Sequence, residues 1–259
     1  MRTTETEKRQ VLDHGYIQLI ETMGSDERII EAARMSTGGG FKGWGPICRD
    51  CGEQYGAYPT DCPATQEHGH RWGHGDERLL RYLWTNRHTS PFEMCEAVFE
   101  IKAPIFVARQ WMRHRTQSYN EASARYAPLA TEDYVPSVER LLNVDTANKQ
   151  AQGTGAALDE TEAMHCSDDI DRAFEYAADV YRGLLKSGVP KELARCVLPV
   201  SRYTVFRAKA NLLNWLKFVG LRSDSHAQWE IRQYSDQVAA LLETSFPRTL
   251  ALFNEGRAP

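Results

Sequence analysis

Residues 95–103, CEAVFEIKA, alternate without interruption: Cys95, Ala97, Phe99, Ile101 and Ala103 point one way, Glu96, Val98, Glu100 and Lys102 the other. Period-two alternation marks a strand with one face in the core and one toward water. Pro104 follows, a residue suited to the first position of a helix because it has no N–H to leave unpaired. PIFVARQWMRHR then continues with helical spacing as far as Arg115. A half-buried strand feeding directly into a helix points to a mixed architecture, α+β or α/β.

The flanking sequence fits that frame. GYIQLIETMG (15–24) reads as a strand, and Ser25 is placed to cap a helix running through Met35. DERLLRYLWTNR (76–87) is helical, with Leu79, Leu80, Leu83 and Trp84 on one face. DDIDRAFEYAADVYRGLLKSG is an amphipathic helix, and the spacing predicts further helices over about 204–219 and 226–244. No internal repeat is found. With 259 residues, the chain reads as a single domain over 1–259 with two irregular segments. One is an insertion at about 36–75 that holds ten of the 18 glycines, and the other is a polar connection at about 143–167.

Charge and hydropathy exclude some functions. A formal net charge of -4 argues against a general nucleic-acid binder. No run reaches the roughly 18 to 20 apolar residues needed to span a bilayer, so no membrane association is expected. MRTTETEKRQ lacks the apolar core of an export signal, which makes a cytoplasmic location the expectation.

Against that mildly acidic background, residues 113–126 read RHRTQSYNEASARY and gather three arginines, a histidine, two serines and an asparagine. On a helix ending at Arg115, Arg109, Gln110 and Arg113 share a face. Guanidinium forks match phosphate or carboxylate, and the Gln110 amide can read a polar ring edge. Such a cluster suits a phosphorylated small molecule better than a long polyanion.

The same stretch resembles the signature of the flavin-dependent thymidylate synthases, R-H-R-x2-S-x-N-x2-S-x-R. Arg113, His114, Arg115, Ser118, Asn120, Ser123 and Arg125 fill its seven fixed positions. At average residue usage that agreement arises by chance on the order of once in a billion windows. HTSPFE (88–93), APIFVARQWMRHR, VPKELARCVLP (189–199) and LRSDSHAQWEIRQY (221–234) resemble other blocks of the family.

The resemblance implies a central, mostly antiparallel sheet flanked by helices. It implies conversion of dUMP to dTMP, with methylenetetrahydrofolate as one-carbon donor, FADH2 as hydride source and NADPH as reductant, in a homotetramer whose active sites are shared between subunits. By position, Ser90, Arg113, His114, Arg115, Glu121 and Asn211 would contact FAD, and His88 would lie near the flavin. Gln110, Trp111, Met112, Arg113, Glu121, Ala122, Ser123, Ala124, Arg125, Arg195 and Arg222 would surround dUMP. Arg222 would favour ionisation at N3 of the uracil, pushing electron density toward C5. No cysteine nucleophile is needed. The chain departs from the family at Leu213, Lys217 and Met94, where Arg, Asn or His, and His are usual.

Other readings of the arginine-rich loop are hydroxymethylation of dUMP or of a related pyrimidine nucleotide, and a non-catalytic nucleotide or RNA binder. The insertion carries a separate motif. Cys48-x2-Cys51-Gly, Cys62, and then His68 or His70 would supply the thiolates and imidazole of a structural zinc site; the other reading is a glycine-rich loop with three free thiols.

Overall fold

The computed structural model describes residues 6–48, 72–128, 131–143 and 158–256. The chain runs β1 (Arg9–Val11), β2 (Gly15–Met23), α1 (Asp26–Arg34), β3 (Ile47–Cys48), β4 (Trp72–Gly73), α2 (Asp76–Thr85), α3 (Ser90–Glu93), β5 (Glu96–Pro104) and α4 (Ile105–Trp111). It continues with β6 (Ser118–Glu121), α5 (Val138–Leu142), α6 (Glu160–Lys186), α7 (Lys191–Ala194), β7 (Tyr203–Asn211), α8 (Leu212–Arg222), α9 (Trp229–Glu243) and α10 (Pro247–Glu255). Five strands form one antiparallel sheet in the order β1-β2-β5-β7-β6.

The alternation of β5 does what its sequence demands. Ala97, Phe99, Ile101 and Ala103 are buried, while Glu96, Val98, Glu100 and Lys102 lie on the wetter face. On that face charges pair across the strands, Arg207 with Glu100 at 3.1 Å and Lys209 with Glu96 at 2.7 Å. The buried face receives α4, α8 and α9 through an aromatic cluster of Phe99, Trp111, Phe206, Trp215, Phe218 and Tyr234. The Trp215 indole N–H donates to the Ala97 carbonyl at 3.0 Å, which fixes α8 against the sheet without leaving a buried donor unpaired.

Several sequence expectations are corrected. Residues 203–211 are a strand, paired along their whole length with β5 from Tyr203↔Pro104 to Asn211↔Glu96, so the helix expected over 204–219 begins only at Leu212. Phe206, Ala208 and Ala210 are buried while Arg207 and Lys209 are exposed, so the segment follows period two. Asn211 makes the switch, its side-chain oxygen accepting the Asn214 N–H at 2.9 Å as the cap of α8.

The helix α4 stops at Trp111 rather than Arg115, and part of the supposedly irregular chain after it is the edge strand β6. The polar connection shortens as well. Asp159 and Glu162 form a capping box, and α6 starts at Glu160, while residues 144–157 lie outside the described set. Ser25 occupies the position before α1, but its hydroxyl makes no cap bond.

The insertion enters and leaves through a two-stranded ribbon in which Ile47 faces Gly73 and Cys48 faces Trp72. Its base is held firmly. Buried Asp76 pairs with Arg34 and accepts the Lys42 N–H at 2.6 Å, and the Trp44 indole donates to Glu27 at 3.0 Å. A Cβ at position 75 would lie 2.0 Å from the Gly45 carbonyl oxygen, so only glycine fits there. Cys48 is buried; Cys51, Cys62, His68 and His70 lie outside the described residues. Among the described residues no three His, Cys, Asp or Glu side chains form a metal-sized group, and no helix is long and apolar enough to cross a membrane.

Candidate active site

The residues expected to form the site fall into three groups, positioned by different elements. The first is centred on Arg222, the last residue of α8. Its Nε donates to His114 Nε2 at 3.0 Å and its Nη2 to the Gln110 carbonyl at 3.0 Å. A guanidinium nitrogen can only donate, so His114 Nε2 must be an acceptor and the imidazole is neutral, with its proton on Nδ1. Burial, and then the charge of Arg222, push His114 from 6.5 down to about 4. The turn that carries His114 is clamped by the Tyr119 hydroxyl, which reaches the Trp111 and His114 carbonyls at 3.1 and 2.9 Å. Phe218 meets the imidazole edge-on at 4.9 Å.

The arrangement makes a measurable prediction. A pH titration of the His114 ring protons by NMR should show a midpoint near 4, and removing the neighbouring charge in Arg222→Ala should raise it. Between about 4 and 6.5 the unfolded chain binds this proton more readily than the folded protein. This group's contribution to stability therefore falls as pH drops through that window and levels off below it. A His114 midpoint above 6 would contradict the geometry.

Gln110 donates its side-chain amide to Gln228, the residue immediately before α9. Local sequence gives Gln228 no role. Its signal lies in the LRSDSHAQWEIRQY block, but nothing nearby indicates that it meets a residue 118 positions earlier. Trp111 is fully buried, so a ligand near it meets backbone and not indole; Met112 is half-buried beside it. Arg113 and Arg115 are exposed on the turn, and neither makes an ion pair among the described residues. They are available to an anion.

The second group gathers around β6 and α7. Arg125 pairs with Glu192 at 3.1 Å, and Arg195 Nε donates to the Glu192 carbonyl at 3.2 Å, so both guanidinium groups lie at one exposed edge. The Ser123 hydroxyl accepts the Arg125 N–H at 3.3 Å, and the Ala122 N–H donates to the Val205 carbonyl at 2.8 Å. Ala124 is buried. Glu121 accepts from the Thr204 hydroxyl at 2.6 Å, a partner hidden from local sequence because Thr204 falls in a stretch that reads as helical.

The third group sits at the other end of α8. His88, Ser90, Pro91 and Met94 line a cavity of about 660 Å³ with Leu83 and Met35. That size is within the usual range for an organic ligand, and the lining is largely apolar with a few polar groups. His88 stands edge-on to Tyr82 at 5.5 Å. Asn211 begins α8 on this side, whereas Leu213 is buried and Lys217 exposed. No hydrogen bond, ion pair or ring contact among the described residues joins His88 or Ser90 to Arg222, His114 or Gln110. The 11 residues of α8 hold Asn211 and Arg222 about 16 Å apart.

Comparison with known proteins adds four findings. The family described as thymidylate synthase complementing protein matches residues 18–248. A flavin-dependent thymidylate synthase of Ehrlichia ruminantium (strain Gardel) is 38% identical over 248 residues, covering 96% of this chain and 73% of the relative. One from Thermus thermophilus is 41% identical over 245 residues, covering 95% of this chain and 77% of the relative. Among solved structures, a UMP/dUMP methylase, PolB from Streptomyces cacaoi, bound with 5-Br UMP, superposes with a TM-score of 0.72 at 31% identity, covering 94% of this chain and 95% of its own.

Proposed function

This chain belongs to the flavin-dependent thymidylate synthase family, and on that premise we propose that it methylates dUMP to dTMP, with methylenetetrahydrofolate as one-carbon donor and NADPH as reductant. The observation that carries the reading is the fixed guanidinium of Arg222. Two of its N–H groups are committed to His114 and to Gln110, and Nη1 makes no hydrogen bond among the described residues. Aimed at the uracil ring, that remaining donor stabilises negative charge gathered there as C5 attacks the one-carbon unit, and the guanidinium keeps its own proton. Neutral His114 holds the direction of Arg222 without competing for the anion. The exposed Arg113, Arg125 and Arg195 would take the phosphate, with Ser123 and Glu121 beside them.

The residues present fit a flavin. His88 and Ser90 line the 660 Å³ cavity, Asn211 begins α8, and Arg113, His114, Arg115 and Glu121 would supply further polar contacts. Bound FAD, once reduced, would supply the hydride that completes the methyl group. A homotetramer with sites shared between copies is part of the same proposal, and the mass of the protein in solution tests it.

The test is incubation of purified protein with FAD, NADPH, methylenetetrahydrofolate and either dUMP or UMP. A flavin spectrum that bleaches with NADPH and a methylated dUMP product are expected. A protein that takes up no FAD, or a product carrying hydroxymethyl by mass, would overturn the reading. The likeness to a UMP/dUMP methylase makes UMP the second substrate to try.

We also propose that Cys48, Cys51, Cys62 and His68 or His70 hold a structural zinc that ties the insertion together. Elemental analysis of protein purified without a metal-affinity tag should find about one zinc per chain, as a site of this type requires. The Cys48→Ser/Cys51→Ser variant should lose it, and zinc retained undiminished in that variant would remove the site.

A further inference from the structure

Away from the three groups, a cavity of about 460 Å³ opens between the start of α4, the middle of α6 and the first turn of α9. Its walls include Phe106, Tyr134, Ile170 and Phe174, and Glu230 and Ser201 supply polar groups. Glu230 is only 3% exposed, yet its carboxylate is half used. Oε1 accepts from Arg140 Nε at 2.8 Å and from the Tyr134 hydroxyl at 3.2 Å, while Oε2 is buried with no hydrogen-bond partner among the described residues. The Ser201 hydroxyl, on a residue 7% exposed, is unpartnered as well.

A buried carboxylate oxygen without a protein donor is a costly feature, relieved by a water or a ligand that supplies the missing bond. The surroundings narrow what such a ligand is. Among the described residues no lysine or arginine lines the cavity, so an anionic ligand would meet the Glu230 and Asp169 carboxylates with only the neutral groups of Ser201, Tyr134 and Gln228 to offset them. Asp169 at the rim adds a second carboxylate, and its one partner, Arg172, is an exposed neighbour whose pairing is weak in water. Aromatic walls accept a flat body, and their ring faces favour a cation.

We propose that this cavity is a binding site for a planar, N–H-bearing organic cation of the amidinium or guanidinium type, held by Glu230 Oε2 and Ser201 between Phe106 and Phe174. It shares one residue with the nucleotide group and none with the flavin cavity. Gln228, which also lines it, bonds Gln110 and is left unaltered in the test.

The experiment is calorimetric titration of the full-length protein with benzamidine, with inorganic phosphate as the contrasting probe. Benzamidine should bind saturably and phosphate should not. Glu230→Gln keeps an acceptor for Arg140 and Tyr134 but removes the charge, and should weaken benzamidine about 10- to 100-fold. Ala173→Trp, placed at the exposed rim away from Glu230, should abolish binding by filling the space, and keeps the test open if Glu230→Gln folds poorly. The same cation could come from an arginine or lysine of a second copy. Size-exclusion chromatography separates that source, because benzamidine and both variants would then release copies from one another. Equal affinity in all three proteins, or no saturable binding to the wild type with an unchanged oligomer, would overturn the site.

Discussion

Arg222→Ala should slow single-turnover dTMP formation by about 10²–10³-fold in protein reduced beforehand with dithionite, the usual cost of losing one preplaced donor to a developing anion. The effect belongs to the transition state, because charge accumulates in the ring only as C5 attacks; dUMP affinity should change less than the rate. Flavin uptake should survive, since of the residues placed against the flavin only His114 is bonded by Arg222, and Asn211 lies at the opposite end of α8. Arg222→Lys should recover little, as one ammonium cannot reproduce the two bonds to His114 and Gln110 together with a third to the ring. Cysteine variants supply the contrast. Burial pushes the Cys95 thiol up to about 12, far from a reactive thiolate, and Cys95→Ser, Cys166→Ser and Cys196→Ser should form dTMP at near wild-type rates. A normal rate in Arg222→Ala beside a dead cysteine variant would refute the proposed chemistry.

Trp111→Ala is expected to be the most damaging single truncation to stability, at about 3–5 kcal/mol. The indole is fully buried, with ring centres of Phe218, Phe206, Trp215 and Tyr234 at 4.4, 5.5, 6.3 and 6.3 Å. It thus joins α4 to the sheet and to α8 and α9 at once. Its N–H donates to Gln117 at 3.0 Å, so truncation also leaves a buried amide oxygen unpaired. Because Trp111 lies immediately before the turn bearing Arg113 and His114, a collapse there should also release the clamp made by Tyr119. Urea unfolding of wild type, Trp111→Phe and Trp111→Ala gives the comparison. A loss below about 1 kcal/mol for alanine would show that the cluster repacks around the gap.

What can be read along the chain is whatever repeats locally or matches a fixed spacing. The alternation of CEAVFEIKA gives β5 and its buried face, and the seven matched positions from Arg113 to Arg125 give the family. Residues 204–211 read as helix because Ala208, Ala210 and Lys209 suit one locally. Pairing with eight residues of β5 outweighs that weak propensity.

The sequence by itself determined the fold class, the family and the chemical types of the site residues, since each depends on short-range pattern. Only the tertiary structure decided which of those residues meet. It set Arg222 against His114 across 108 positions and Gln110 against Gln228 across 118, left Glu230 with one oxygen unmet among the described residues, and placed Asn211 and Arg222 at opposite ends of one helix. The reason is physical. Periodicity reports which face of an element seeks the core, but the direction of a hydrogen bond depends on the element packed opposite, which local sequence does not encode.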